Sequence, residues 1–286
     1  MTMWNHIFQD INYDKENGEK KTEVNAWMRP YAYPGEREEF VEKAKIAKQF
    51  DMPFRGLVEF YGDDLIAYKQ KIGSCRHANA FLRIFTNYVA DHLEDQCPTS
   101  WQACQPAFWE ELIFAYFPSQ LKITTKQSES ELFLIQLKKF VRWLDQRTGC
   151  AWYPTVEKYT EEARTELIIC ERLFNNLVLR LFPNAHLKEQ EREKDLDKIK
   201  NAIRAASEVY NSVYKVTAVT EDFITVTDID STRVFQIVGL PADELALGVL
   251  LEGVMGRYHH DDFFYTWFFT ENVYPEKAEN YFVFVD

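Results

Sequence analysis

The apolar positions of the chain change their rhythm once. From Gly35 to about Glu208 they recur every three or four residues, and from Val209 onward they tend to alternate, so a helical part is expected to be followed by a stranded one. In "GEREEFVEKAKIAKQF" the residues Phe40, Val41, Ala44 and Ala47 fall on one side of a helix that stops at "DMP". The stretch "SCRHANAFLRIFTNYVADHL" repeats the pattern with Ala78, Phe81, Leu82, Phe85, Val89 and Leu93. Pro106 and Pro118 bracket "PAFWEELIFAYFP"; the first is tolerated near a helix start and the second disallows continuation, which predicts a short apolar helix. In "SESELFLIQLKKFVRWLDQRTG" the buried stripe is Phe133, Leu137, Phe140, Val141 and Leu144, Ser128 with Glu131 spells a capping box, and Gly149 ends the helix. A further helix in "TEEARTELIICERLFNNLVLRLFP" buries Leu167, Cys170, Leu173, Phe174, Leu177, Val178 and Leu181, with Pro183 beyond its end.

Residues 186–208 carry mixed charge around a narrow seam of Leu196, Ile199 and Ile203, as a solvated helix linking two domains would. The alternating runs that follow, "SVYKVTAV", "FITVTD", "RVFQIVG", "LALGVLLEGVMGRY", "FFYTWFF" and "YFVFVD", are separated by polar turns such as "TED" and "DIDST". Five or six short antiparallel strands in so short a span predict a small closed or partly closed barrel. The expected class is α+β: an N-terminal arm over 1–34 docking through the aromatics of "NAWMRPYAYPG", a mainly helical domain over 35–185, the linking helix over 186–208 and an antiparallel β-barrel over 209–286.

Charge sharpens this division. The chain carries a net −12, and from Val209 to Asp286 four Lys/Arg (Lys215, Arg233, Arg257, Lys277) stand against thirteen Asp/Glu, a net of −9. Such a field repels phosphate backbones and anionic lipid, so a nucleic-acid partner is not expected. With 286 residues and 46% hydrophobic content the chain builds a core without staples, and its five cysteines are odd in number and scattered, as reduced thiols of a bacterial-type cytosol would be. The start "MTMWNHIFQDINYD" has no basic and apolar leader, and no apolar run reaches the roughly 18 residues of a membrane span; a cytoplasmic protein without a membrane partner is expected.

The stretch "YKVTAVTEDFITVTDIDSTRVFQIV", with "LALGVLLEGVMGRY" and "FFYTWFFTENVYP", resembles the small β-barrel that closes many bacterial cytosolic proteins, some of which also carry the cysteine-rich SEC-C metal motif. That motif needs a C-x-C followed by Cys-His and is absent here, so its metal does not carry over. The segment "FWEELIFAYFP" with "SESELFLIQLKKFVRWLDQRTG", about residues 107–149, is similar to the helical core-binding domain of tyrosine recombinases. The Arg, His-x-x-Arg and nucleophilic Tyr of the recombinase catalytic domain have no counterpart in the acidic strands.

Walker, G-x-G-x-x-G, G-x-S-x-G and H-E-x-x-H signatures are missing, and no catalytic residue or cofactor is assigned. His259, His260, Asp261 and Asp262 are metal-ligand types, but neighbours along a strand point to opposite faces, and a polar run between two strands is what a hairpin loop requires. In the strand after it, Phe263, Tyr265, Trp267 and Phe269 fall on one face and Phe264 and Phe268 on the other. Both faces need cover, from the helical domain or from a partner, which marks Phe264, Trp267 and Phe268 as candidate interaction residues. Cys75 beside Arg76 and His77 at a helix start is a weak nucleophile candidate, since adjacent helical positions diverge and no third residue orients them. Lys122, Lys126, Lys138, Lys139, Arg142 and Arg147, with Trp143, form the locally basic region. The expected function is a non-enzymatic interaction or adaptor protein that binds another protein or a second copy. The alternatives are a metal-dependent hydrolase or nuclease on the His259–Asp262 run, and DNA binding through the basic helix 122–147.

Overall fold

The computed structural model describes residues 32–124, 128–183, 189–259 and 263–282, with side chains for all of these except 189–195. The class is α+β, and the chain groups into two compact units, Met1–Thr99 and Ser100–Asp286.

In the first unit the helices are Glu36–Ala47, Phe54–Val58, Gly62–Ile72 and Arg76–Asn87, the last running on into a π turn over Tyr88–His92. Of its expected apolar stripe, Ala78, Phe81, Leu82, Phe85 and Val89 are fully buried, while Leu93, beyond the π turn, is half-buried. The stripe of Glu36–Ala47 is narrower: Ala47 is buried, whereas Val41 at its margin is exposed. Gly62 opens its helix because a side chain there would lie 2.3 Å from the Leu57 carbonyl oxygen. The buried Lys69 ammonium donates to the Gly73 carbonyl at 2.7 Å and to Asn79 Oδ1 at 2.8 Å, which offsets the cost of desolvating it.

The second unit begins with Pro106–Glu111, a π turn over Leu112–Tyr116 and the short Phe117–Ser119, followed by the long helices Glu129–Thr148 and Tyr153–Leu181 and the helix Glu189–Ala205. Glu129–Thr148 is not capped by its own Ser128, whose side chain makes no cap bond. The buried Glu171 carboxylate of the neighbouring long helix accepts the Glu129 and Ser130 amides instead, each at 2.9 Å. The cap is tertiary, and the capping-box spacing could not show it. Gly149 ends the helix at φ 74°, and Asp145 then accepts the amides of Trp152 and Tyr153 at 3.0 and 2.8 Å, so the next helix starts at Tyr153, earlier than its apolar stripe implies.

The strands are β1 (Glu208–Val219), β2 (Ile224–Asp228), β3 (Val234–Val238), β4 (Leu250–Arg257) and β5 (Tyr265–Tyr274). Their order is β1-β2-β3-β5-β4, and β4 pairs back onto β1, so the pairing closes on itself. Four of the pairings are antiparallel, but β3 and β5 run parallel through Ile237–Tyr265 and Val238–Thr266, which departs from the expected all-antiparallel arrangement. The chain reaches that parallel position by passing through β4 first. Of the run "YFVFVD", Tyr281 ends a 3-10 turn that starts at Glu276, Phe282 follows it, and 283–286 lie outside the described residues, as do 1–31 of the expected arm.

Candidate interaction site

Five rings from three strands fill the inside of the closed sheet. Tyr214 and Phe235 stand 6.2 Å apart, Tyr214 and Trp267 5.7 Å, Tyr210 and Phe235 5.3 Å, and Phe235 and Tyr265 5.0 Å. Trp267 lies over Gly253, where an added Cβ would come within 2.7 Å of the indole, and its Nε1–H donates to Thr270 Oγ1 at 2.9 Å. Simple alternation would put Phe269 on the same inner face. It does not, because β5 shifts register against β4 twice: Met255 faces Trp267 while Val254 faces Phe269, and Gly253 faces Thr270 while Glu252 faces Asn272. Each bulge inserts one residue, Phe268 and Glu271, and reverses the parity of those beyond it. Phe268 and Phe269 therefore both turn outward. Phe269 meets Phe182, which follows the long helix Tyr153–Leu181, with ring centroids 6.2 Å apart. Phe268 lies on Gly256, whose missing side chain makes room for it, beside Tyr258 at 5.8 Å. Both are buried by the chain itself, as is Trp267, and Phe264 is half-buried against Phe223 at 5.7 Å.

The second bulge creates a carboxyl pair on the outer face. Glu252 Oε2 accepts the Tyr274 hydroxyl at 2.6 Å and the Asn272 amide at 2.7 Å, whereas Glu271 receives one long bond of 3.3 Å from Asn211. Burial, and then the Glu252 carboxylate, push the Glu271 carboxyl up to about 7.

The open surface lies at one end of the sheet. The pairing directions make β1, β3 and β5 run the same way, so their first residues gather at this end with the last residues of β4. Here Tyr210, Phe235 and Tyr265 form a three-ring cluster, with Tyr210 and Tyr265 5.9 Å apart. Two guanidinium groups lie on it: Arg257 5.4 Å from the Tyr265 centroid, and Arg233 5.1 Å from Tyr210 and 5.2 Å from Phe235. Arg257 is compensated by Glu208 at 2.6 Å, and that bond, with the Tyr265 hydroxyl, holds the Glu208 carboxyl below its ordinary range. Arg233 faces no carboxylate within ion-pair distance among the described residues; its Nη1 donates to the Tyr210 hydroxyl at 3.2 Å. The other two cations of the acidic segment are spent on carboxylates, Lys215 on Glu276 and Glu279, Lys277 on Glu110 and Glu162.

The turn that carries Arg233 is rigidly built. Asp228 Oδ1 accepts the Ser212 hydroxyl at 2.8 Å and the Asp230 amide at 3.1 Å, Oδ2 accepts the Ser231 hydroxyl at 2.8 Å, and Thr232 takes a left-handed φ of 60°. Beside this arginine Val234 is 65% exposed and, across the end, Phe263 is 77% and Val209 42% exposed. The sequence reading passed over this end, although two arginines among only four cations in a segment of net −9 were a visible signal.

The remaining candidates separate. His259 is an exposed turn residue, and His260, Asp261 and Asp262 lie outside the described residues; among the described ones no group of three His, Cys, Asp or Glu could hold a metal. Cys75 is the N-cap of its helix, and no hydrogen bond joins it to His77. Burial pushes the Cys97 thiol up to about 11 and Cys170 higher still. The basic helix uses its cations locally: Lys138 pairs with Glu161 at 2.9 Å, Arg142 lies 4.5 Å from the Tyr153 ring and Arg147 5.5 Å from the Trp143 ring. Lys139 and Lys122 are exposed, and Lys126 lies outside the described residues. No described helix is long and apolar enough to cross a membrane. No protein-family model matches the chain, and neither a curated protein nor a solved structure does.

Proposed function

We propose that the protein is a non-enzymatic interaction protein of a bacterial cytoplasm, in which the strands act as a small barrel and dock another protein through the end bearing Arg233, Val234, Val209 and Phe263. One observation supports this reading above the others: an exposed arginine lies over the rings of Tyr210 and Phe235, with the exposed Val234 next to it in the chain, arginine and aromatic rings being residue types that concentrate binding energy at protein interfaces. The aromatics of β5 support the scaffold instead, since the chain itself buries Trp267 and Phe268. Affinity capture from the native host with wild type and with Val234→Asp tests it. The reading requires a protein captured by wild type, confirmed by reciprocal capture, and lost with a variant whose melting is unchanged. Equal capture by both proteins contradicts it.

A further inference from the structure

The chemistry of Arg233 narrows the partner. A guanidinium carries its donors in one plane, and here the Tyr210 hydroxyl uses one of them, on Nη1, while Nε and Nη2 find no acceptor among the described residues. The group is held before any ligand arrives. The rings of Tyr210 and Phe235 lie against it, and the bonded turn from Asp228 to Ser231 fixes the backbone that carries it. A pre-placed pair of parallel N–H donors matches the two oxygens of a carboxylate or of a phosphate. Charge decides between them: nucleic acid and other polyanions bring many negative charges into the field of a segment with net −9, whereas a carboxylate on an otherwise neutral or basic polypeptide brings one. The net −12 of the whole chain likewise disfavours a second copy as occupant.

We propose that Arg233 is the docking point for a side-chain carboxylate on a segment of the partner protein. This rests on the reading that the end of the sheet is the interaction surface.

The probes are two capped synthetic peptides, acetyl-Ala-Leu-Asp-Leu-amide and the same peptide with Asn for Asp, titrated into the labelled full-length protein and followed by NMR at the Arg233 Nε–H and the Tyr210 ring. Saturable shifts are expected with the Asp peptide, with the Asn peptide weaker by about tenfold, as charge-assisted bidentate bonds are stronger than neutral ones. Arg233→Gln should erase that difference, and Arg233→Lys should restore only part of it. Equal response to both peptides, a preference that survives Arg233→Gln, or a stronger response to inorganic phosphate than to the Asp peptide overturns the proposal. Self-association by light scattering that depends on Arg233 also overturns it, since the occupant would then be a second copy. If neither peptide is preferred while Val234→Asp still abolishes capture of a partner, the surface stands and the carboxylate assignment falls. If capture is also unaffected, both fall.

Discussion

β5 and the end of the sheet where it begins draw on the same residue types and use them in opposite ways. Along β5 the aromatics are closed off, Trp267 inward over Gly253 and Phe268 and Phe269 outward against Gly256 and Phe182. At the end, Tyr210, Phe235 and Tyr265 carry two guanidinium groups toward the surface, next to exposed Val234. The difference teaches that a dense aromatic run points to the scaffold when bulges let it serve both faces, while a surface is marked by the rarer residue, the cation kept in an acidic segment.

The contrast breaks first at Trp267. Trp267→Ala should destabilise by about 3–5 kcal/mol, because it opens a cavity over Gly253 and leaves Thr270 without its donor. Denaturant unfolding measures this, and a loss below about 1 kcal/mol would mean that the interior is not the core described. Glu171→Ala comes next. It strips two amides at the start of the 129–148 helix of their acceptor, and about 2–3 kcal/mol should be lost, with hydrogen exchange accelerated first at Glu129 and Ser130.

Glu271 sharpens the comparison through pH. Its folded-state carboxyl titrates at about 7 against 4.5 for an unperturbed glutamate, so the folded state keeps a proton that the unfolded chain has released. Stability should therefore fall as pH rises from about 4.5 through 7, by about 2 kcal/mol once partial solvent access is allowed for. In Glu271→Gln that decline should vanish and the protein should be more stable than wild type at pH 8. Parallel pH profiles for the two proteins would contradict the outward carboxyl pair. The smallest stability effect belongs to the proposed surface: Val234→Asp should change unfolding free energy by no more than about 0.5 kcal/mol, as substitutions at exposed positions do.

How far the sequence could be read follows from which physics is local. The stripe from Phe133 to Leu144, the stop at Gly149 and the switch to alternation after Val209 all appear in the structure, because periodicity and a left-handed glycine are properties of neighbouring residues. Glu171 capping a helix 41 and 42 residues away is not local, nor is the parallel β3–β5 pairing. The two bulges in β5 were hidden for a related reason. Phe268 and Glu271 look like ordinary strand positions, and only the register against β4 shows that each reverses the faces beyond it. Of the candidate site, Trp267 and Phe268 were visible as residues needing cover, while the arginine end needed the strand directions before its pieces could be brought together.

On the proposed reading, partners meet the chain at the start of β3 and not along β5. A photo-reactive amino acid placed at Val234, and separately at the exposed Ile135 as a control, measures this directly in the native host. A crosslink to one other polypeptide is expected from position 234 and none from 135. Crosslinking from position 135 with none from 234 would contradict it.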